Sequence, residues 1–228
     1  MGFDRSWEDN IYGNRRHINR YPFGQLVSCV MRSYGQRLKN REKRRVLEVG
    51  CGTGNNLGFL AEVGFEVYAI EGSETAAKIA RQGLTEKGFK AEIIVGDFAS
   101  IPWPDSFFDL VVDRESIYCN MPADIRRICS EVTRVLKPGG GFLSFKYSTA
   151  HGDIKHGEGK LIDDNTYAEM RNGSFVETGI IHFFKKEEVI DCYFKGFDIK
   201  YMYHNTNDIL MPEKRNEFSE FITYGVKM

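Results

Sequence analysis

The sequence Val46-Leu47-Glu48-Val49-Gly50-Cys51-Gly52-Thr53-Gly54 indicates the fold class of this chain. Its apolar residues predict a buried strand over Arg45–Val49, and its three glycines predict a tight turn before a helix over Asn55–Val63. Because glycine has no Cβ atom, the backbone amides of such a turn can approach a ligand closely. A strand, a glycine turn and a helix in this order predict a nucleotide-like ligand at the turn.

Two residues beside the glycine turn favour one of the two cofactor classes that use such turns. A dinucleotide site prefers the spacing G-x-G-x-x-G, which requires a glycine where this chain has Asn55. Glu48 lies two residues before Gly50, and its carboxylate would repel a pyrophosphate but tolerate the sulfonium and ammonium groups of S-adenosylmethionine (SAM). The turn therefore favours SAM over a dinucleotide.

Short apolar runs alternate with helical patterns along the rest of the chain, which is typical of β-α-β units and of a mainly parallel, doubly wound α/β sheet. Further strands are predicted over Glu66–Ile70, Lys90–Val95, Phe107–Val112, Gly141–Tyr147, Phe197–Tyr203 and Phe218–Val226. Further helices are predicted from a cap at Ser73 to about Lys87, over Ala123–Leu136 before a turn at Lys137–Gly140, and over Lys185–Phe194.

Two regions stand outside this alternation. Residues 1–43 are predicted to form an N-terminal helical cap with a helix over Gly24–Leu38, and residues 44–228 are predicted to form the main domain. The segment at about 148–180 contains glycines, histidines and charged residues with little periodicity, and it is too long for an ordinary connection. We therefore expect a lid inserted after the fifth strand.

Acidic residues follow the second and third predicted strands. Glu71 ends the second strand, where a carboxylate can accept both hydroxyls of a ribose. Asp97 follows the third strand and offers an acceptor for an adenine amino group, and Phe98 beside it offers an apolar wall for the ring. Since NAD enzymes also place an acid like Glu71, Asp97 is the residue that adds to the preference for SAM.

Five segments occur in a fixed order, namely Val46–Gly54, Val67–Glu71, Val95–Phe98, Phe107–Asp113 and Arg134–Gly140. Together they resemble the class I (Rossmann-like) SAM-dependent methyltransferases, most of all their small-molecule branch, over about residues 44–147. The resemblance implies a seven-stranded sheet with an antiparallel last strand, SAM as the methyl donor and S-adenosylhomocysteine as the product. It also implies that Gly50, Gly52, Glu71, Asp97 and Phe98 line the SAM pocket. The full cofactor set that we predict adds Arg20, Glu48, Cys51, Gly54, Asn55, Gly72 and Asp113.

The methyl acceptor is expected over the carboxyl ends of strands four and five. Asp113 and the residues up to Ser116 follow strand four, and each is a candidate for a general base or an orienting group, with a structural ion pair as the alternative. His151 and His156 lie in the predicted lid, either as groups that take a proton near neutral pH or as members of an exposed polar loop. Arg20 is suited to gripping the methionine carboxylate of SAM, or else lies on the surface.

Composition excludes several function classes. With 31 basic residues, 32 acidic residues and a net charge of −1, the chain lacks the footprint of a general nucleic-acid binder, and its basic run Lys39–Arg45 is expected to be a solvated helix end. Its five cysteines have no C-x-x-C spacing, so neither a metal site nor a disulfide framework is predicted. Because the N-terminus is polar and no apolar run approaches about 20 residues, we expect a cytoplasmic protein without membrane contact. We expect it to be a monomer or a homodimer.

These observations lead to a hypothesis about the reaction. We predict methyl transfer from SAM to a small molecule, with a hydroxyl oxygen of a saccharide, nucleotide sugar or other polar metabolite favoured because the predicted lid is polar and contains histidines. A small-molecule N-methyltransferase fits the same residues. Two alternatives of other classes are an NAD(P)-dependent oxidoreductase, which Glu48 and Asn55 disfavour, and a SAM-binding protein without catalytic activity.

Overall fold

Ten strands in two sheets are present in the computed structural model, which describes residues 2–38, 43–208 and 217–228. The small sheet is antiparallel and contains three strands that lie within or just after residues 148–180. The larger sheet contains the other seven, and it confirms the predicted seven-stranded arrangement. In chain order the strands are β1 (Arg44–Val49), β2 (Phe65–Glu71), β3 (Ala91–Val95), β4 (Phe108–Arg114), β5 (Leu136–Tyr147), β6 (Lys160–Asp163), β7 (Thr166–Ala168), β8 (Ile181–His182), β9 (Phe197–Asp208) and β10 (Glu217–Lys227).

The order of the strands places a crevice at the centre of the larger sheet. Neighbouring strands follow the order β3-β2-β1-β4-β5-β10-β9. The last strand, β10, runs antiparallel to both of its neighbours, as predicted, while the pairs among β1–β5 are parallel. The chain therefore builds outward from β1 on one side and from β4 on the other, and open α/β sheets bind ligands at the carboxyl ends beside such a reversal. The glycine turn that follows β1 lies at this point.

Helices cover both faces of the larger sheet. Because successive residues of a strand point to opposite faces, Val46 packs in one core cluster with residues of the helices before β3, and Leu47 packs in the other with residues of the helices after β4. Burial on both faces explains why the sequence of this strand is nearly continuous in apolar residues. The helices are α1 (Gly24–Leu38), α2 (Leu57–Glu62), α3 (Glu74–Glu86), α4 (Pro122–Val135), α5 (Gly152–His156) and α6 (Lys186–Tyr193), and a π-helix at Trp7–Tyr12 precedes them.

Local chemistry sets the beginnings of two helices. The hydroxyl oxygen of Ser73 accepts a hydrogen bond of 3.0 Å from the backbone N–H of Ala76, which confirms the predicted cap of α3. Helix α4 begins at Pro122, where the missing backbone N–H leaves no hydrogen bond unmade. Both signals act within one turn and can therefore be recognised in the sequence.

The predicted turn at Lys137–Gly140 is wrong, because these residues lie inside β5. Strand β5 starts directly after α4, and Leu136 already pairs with Phe108 of β4. The next pair joins Leu110 to Gly141, so the residues between form a bulge in the strand pair. The proline and glycines thus interrupt the pairing without ending the strand.

The segment predicted as a lid has a small fold of its own. It contains α5 and the strands β6 and β7, and β8 follows directly after it. Phe175 attaches it to the larger sheet, since its ring lies 4.9 Å from that of Tyr147 in β5. The three short strands are two to four residues long, too short to show the alternation that predicts strands.

The N-terminal region packs on the larger sheet through α1. Tyr34 is buried, and its hydroxyl donates a hydrogen bond of 2.6 Å to the carbonyl oxygen of Asp109 at the amino end of β4. Of the basic run Lys39–Arg45, residues 39–42 lie outside the described residues, and Arg45 belongs to β1, where its backbone N–H donates to the Asp109 carboxylate at 2.8 Å. The predicted division between residues 1–43 and 44–228 stays a prediction.

Candidate active site

A cavity of about 230 Å³ lies at the carboxyl ends of β1, β2, β4 and β5. The glycine turn after β1, the end of β2 and the segment after β4 form its inner wall. The N-terminal segment 3–23 and the lid residues 174–178 cover it from outside. Segments far apart in the sequence therefore meet at the crevice that the strand order creates.

Two glycines of the turn after β1 are required by close contacts. Gly50 has a φ of +68°, and a Cβ atom there would lie 2.2 Å from Cβ of Ser116. Gly52 has a φ of +52°, and a Cβ atom there would lie 2.7 Å from the hydroxyl of Tyr12. Gly54 has a different task, because its missing Cβ makes room for Ala80 of α3, and it does not line the cavity.

Glu71 holds the glycine turn from the end of β2. One carboxylate oxygen accepts a hydrogen bond of 2.7 Å from the backbone N–H of Gly52, and the other accepts one of 2.9 Å from that of Ser73. Burial raises the pKa of Glu71 to about 7, against these backbone donors. Glu71 lines the cavity, at the place where the sequence predicts contacts to a ribose.

Glu48 presents an unpaired oxygen at the cavity. It is 1% exposed, and Oε1 accepts a hydrogen bond of 2.7 Å from the side-chain amide of Asn56. No described residue donates a hydrogen bond to Oε2. Burial raises the pKa of Glu48 to about 8, so a bound cation would favour its ionised form. The buried carboxyl therefore fits a positively charged ligand group such as the ammonium of SAM.

Asp97 lies at the predicted place, but its carboxylate already has donors. Oδ1 accepts hydrogen bonds from the backbone N–H of Gly2 at 2.6 Å and of Ala99 at 2.9 Å. Asp97 is not among the residues that line the cavity. The N-terminal segment thus occupies the acceptor atom that the sequence assigns to adenine.

Phe98 is buried and lines the cavity, in the position predicted for an apolar wall. Its ring lies 6.1 Å from that of Phe3, edge to face. Gly72, also in the predicted set, lies under Phe3, because a Cβ atom at Gly72 would be 2.0 Å from that ring. No pattern in the first residues connects Phe3 to β2, so its place at the cavity could not be predicted from the sequence.

The other residues of the predicted cofactor set lie on two sides of the glycine turn. Cys51 and Asn55 line the cavity, and the side-chain amide of Asn55 donates a hydrogen bond of 3.0 Å to the carbonyl oxygen of Tyr21. Arg20 is exposed and lines a second pocket on the outer side, between the N-terminal segment and α3. The structure therefore does not bring Arg20 to the cavity.

Asp113 is buried behind the cavity wall and has four hydrogen-bond donors. Oδ1 accepts from the backbone N–H of Ser116 and of Ile117 and from the hydroxyl of Ser116, at 2.8 to 3.1 Å. Oδ2 accepts from the hydroxyl of Ser144 at 2.6 Å. These bonds shape the turn after β4, and Asp113 does not line the cavity, so its predicted cofactor and catalytic roles remain predictions.

The two lid histidines are also outside the cavity lining. His151 is 3% exposed, and its ring lies edge to face with Tyr147 at 5.0 Å and near Phe175 at 5.4 Å. Burial lowers its pKa, and its Nδ1 accepts a hydrogen bond from the backbone N–H of Asp153 at 3.2 Å. His156 ends α5 and is exposed. Their predicted catalytic roles stay predictions.

Glu115 and aromatic side chains from the ends of β4 and β5 and from the lid also line the cavity. Glu115 follows β4 with a φ of +56°. Tyr147, Tyr118 and Phe175 form an aromatic wall, with ring centroids 4.9 to 6.1 Å apart. Tyr147 ends β5, and its position after a buried strand is the signal in the sequence that could have found it. Phe175 has no such signal, because only the lid fold brings it here.

Part of the chain that forms this cavity also matches a known protein family in sequence. A family model described as a methyltransferase domain fits residues 46–140, the part of the chain that holds the glycine turn, Glu71 and Asp97. Residues 46–140 thus resemble a methyltransferase domain in sequence, and the seven-stranded sheet has the fold of the class I SAM-dependent methyltransferases. The predicted family resemblance is thereby confirmed, as is the class of cofactor that this family uses.

Two relatives match parts of this chain. It is 34% identical to a fatty-acid O-methyltransferase of Mycolicibacterium smegmatis over 54% of this chain and 43% of that protein. It is 30% identical to a probable chloroplastic tocopherol O-methyltransferase of Oryza sativa over 69% of this chain and 47% of that protein. The matches thus span less than half the length of these relatives. A crystal structure of a SAM-dependent methyltransferase from Clostridium acetobutylicum has the same fold, with a TM-score of 0.66, 16% identity and coverage of 92% of this chain and 93% of that one.

Within residues 2–38, 43–208 and 217–228, no group of three or more His, Cys, Asp or Glu side chains is arranged to hold a metal ion. In the same ranges, no helix has the length and apolar character needed to cross a membrane. The cysteines that the structure describes are free thiols.

Proposed function

We propose that the chain transfers a methyl group from SAM to a small-molecule acceptor bound in the cavity, with S-adenosylhomocysteine as the product. The observation that carries the proposal is the pair of buried carboxyls, Glu48 and Glu71, on the two sides of the glycine turn. Glu48 would face the ammonium of SAM, and Glu71 its ribose hydroxyls. Gly50 and Gly52 would let the ligand approach the backbone.

The same pair disfavours a dinucleotide cofactor. A pyrophosphate in this cavity would lie near two acids, and the charge repulsion would be strong because both acids are buried. SAM carries two positive charges and one negative charge, so it reverses the sign of that interaction. The negative charge of the two acids therefore disfavours the NAD(P)-dependent alternative.

The aromatic wall supports an acceptor with apolar or aromatic surface. Tyr118, Tyr147 and Phe175 offer ring faces and edges to the acceptor, with Glu115 as the charged group among them. A fatty acid and tocopherol appear in the names of two relatives. The predicted saccharide acceptor has no such support, because the polar lid on which it depended buries His151 and leaves His156 outside the cavity. An amine acceptor, the absence of nucleic-acid partners, the cytoplasmic location and the monomeric or homodimeric state remain predictions.

Calorimetry and a transfer assay test the proposed function. We expect SAM and S-adenosylhomocysteine to bind the wild-type chain with one site each, and NAD and NADP not to bind. With methyl-labelled SAM and parallel sets of long-chain acids, phenols, amines and sugars, we expect label in a product of low polarity. Binding of NAD without SAM would overturn the donor assignment, and SAM binding without transfer to any acceptor would indicate a SAM-binding protein without catalytic activity.

A further inference from the structure

A partly buried group of charged and hydroxyl side chains lies where β4 and β5 end at the cavity. The hydroxyl of Tyr147 donates a hydrogen bond of 2.7 Å to Oε2 of Glu115, and Arg114 forms an ion pair with the same carboxylate. Glu115 and Tyr147 both line the cavity. The positive φ of Glu115 is unusual for a residue with a Cβ atom, and such a backbone persists where surrounding contacts hold it.

A second carboxyl lies behind this group. Glu220 of β10 pairs with Tyr147 of β5 in the sheet register and is 0% exposed. Arg114, Glu115 and Asn205 lie around it, yet no described residue donates a well-aligned hydrogen bond to either of its oxygens. Burial raises the pKa of Glu220, and the neighbouring charge of Glu115 raises it further, while Arg114 lowers it.

Arg114, Glu115 and Glu220 together carry no net charge when one of the two carboxyls is protonated. If Glu220 is protonated and Glu115 ionised, the negative charge lies beside Arg114, and the uncharged carboxyl lies where no donor serves it. The opposite assignment would leave a buried carboxylate without hydrogen bonds and separate Arg114 from its partner. Glu115 is therefore the member of the pair that is free to take a proton from a ligand in the cavity.

We propose that Glu115 is the catalytic base that takes the proton of the methyl acceptor, that Tyr147 and Glu220 position it, and that the acceptor group is a phenolic hydroxyl. This rests on the methyl transfer proposed above. The bond between the phenolic oxygen and the methyl carbon forms from an oxygen lone pair, while the bond between the methyl carbon and sulfur breaks and its electron pair stays on sulfur. The phenolic proton passes to the Glu115 carboxylate, so no other reactant is needed.

The strength of the base selects a phenol among hydroxyl acceptors. A phenol has a pKa of about 10, whereas water and aliphatic alcohols lie near 16, so a carboxylate assists the loss of a phenolic proton far more readily. The ring of a phenol also matches the wall of Tyr118, Tyr147 and Phe175. A saccharide hydroxyl would gain from neither feature.

Methylation of 4-methylphenol with methyl-labelled SAM tests the proposal, because this phenol has a pKa of about 10 and still carries its proton near neutral pH. We expect wild-type protein to methylate it in a SAM-dependent manner. Glu115→Gln should lower kcat by about 100-fold or more and Tyr147→Phe by about 10-fold, each with SAM affinity within threefold of wild type by calorimetry. Glu187→Gln, the same change at an exposed position of α6, should behave as wild type.

The pH profile separates positioning by Glu220 from a structural role. Glu220→Gln replaces a protonated carboxyl by an amide of the same shape, so the protein should fold and keep its SAM affinity. We expect the kcat profile to lose an inflection that wild type shows above the usual pH range of a glutamate, and an unchanged profile would overturn the role of Glu220.

Failure of this proposal and failure of the proposed function give different results. If wild-type protein binds SAM and methylates acceptors other than phenols, methyl transfer stands and the phenol assignment is overturned. Wild-type kcat in both Glu115→Gln and Tyr147→Phe would overturn the base. If wild-type protein does not bind SAM, the proposed function falls.

Discussion

The two sides of the cavity are built in different ways. We call the glycine turn with Glu48, Glu71 and Phe98 the donor side, and Glu115 with Tyr118, Tyr147 and Phe175 the acceptor side. The donor side comes from one continuous stretch of about fifty residues, in which each group lies at or just after the carboxyl end of one of the parallel strands β1–β3. The acceptor side joins the ends of two strands to the lid. Neighbouring strand ends place the donor side, whereas long-range packing places the acceptor side.

The two sides also treat buried acids differently. On the donor side, Glu71 is served by backbone N–H groups and Glu48 keeps one oxygen free. On the acceptor side, Glu115 is paired with Arg114 and hydrogen-bonded to Tyr147. An unpaired buried acid favours a cationic ligand, while a paired one can stay ionised in the absence of ligand. The difference matches a cationic donor on one side and a proton-losing acceptor on the other.

The largest effect is expected where the backbone of the donor side is changed. Gly50→Ala would place a Cβ atom 2.2 Å from that of Ser116 at a φ of +68°. Strain and displacement of roughly 3 kcal/mol should weaken SAM binding by about 100-fold, measured by calorimetry. Gly83→Ala in α3 is the matched control, because nothing lies within 4 Å of its added Cβ. Equal SAM affinity in the two variants would show that the turn does not position the donor.

An intermediate effect concerns the charge of the donor side. Since the folded pKa of Glu48, about 8, is above the unfolded value of 4.5, the native state holds its proton more tightly. The contribution of Glu48 to stability should therefore be fully present below pH 4.5 and be lost as pH rises through 8. We expect Glu48→Gln to flatten this dependence in urea unfolding, while Glu71 preserves part of it with the same sign.

The control for that measurement is Glu187→Gln, an exposed glutamate whose replacement should leave the pH dependence as in wild type. A stability that rises between pH 5 and 8 in wild type, or an unchanged slope in Glu48→Gln, would contradict the buried and unpaired state of Glu48. Excess SAM should reduce the decline, because a bound cation favours the carboxylate.

The smallest effect is expected at Arg20, which the sequence assigns to the donor side. Its side chain is exposed in the outer pocket, so Arg20→Ala should change SAM affinity by less than threefold in calorimetry. Arg15→Ala, at another arginine of the same pocket, serves as the control. A tenfold loss in Arg20→Ala alone would mean that the N-terminal segment brings Arg20 to the ligand when SAM binds.

Sequence patterns predicted the donor side better than the acceptor side for a local reason. Strand β1, the glycine turn and the Ser73 cap each follow from interactions within a few residues. The bulge in β5 shows the limit, because a proline and glycines normally end an element, yet pairing with β4 continues the strand. The lid was predicted as an insertion, but its short strands gave no periodicity from which to place Phe175.

Three features follow from the linear sequence, namely the parallel sheet, the glycine turn after β1 and the preference for SAM. These depend on apolar periodicity, on residues without a Cβ atom and on acids at the ends of strands, all of which can be recognised in a linear chain. Three other features depend on tertiary contacts. Asp113 supports a turn, Arg20 lines the outer pocket, and Glu115 accepts a hydrogen bond from Tyr147. Such outcomes depend on which side chains from distant segments are buried together, and burial sets the charge and partners of each group.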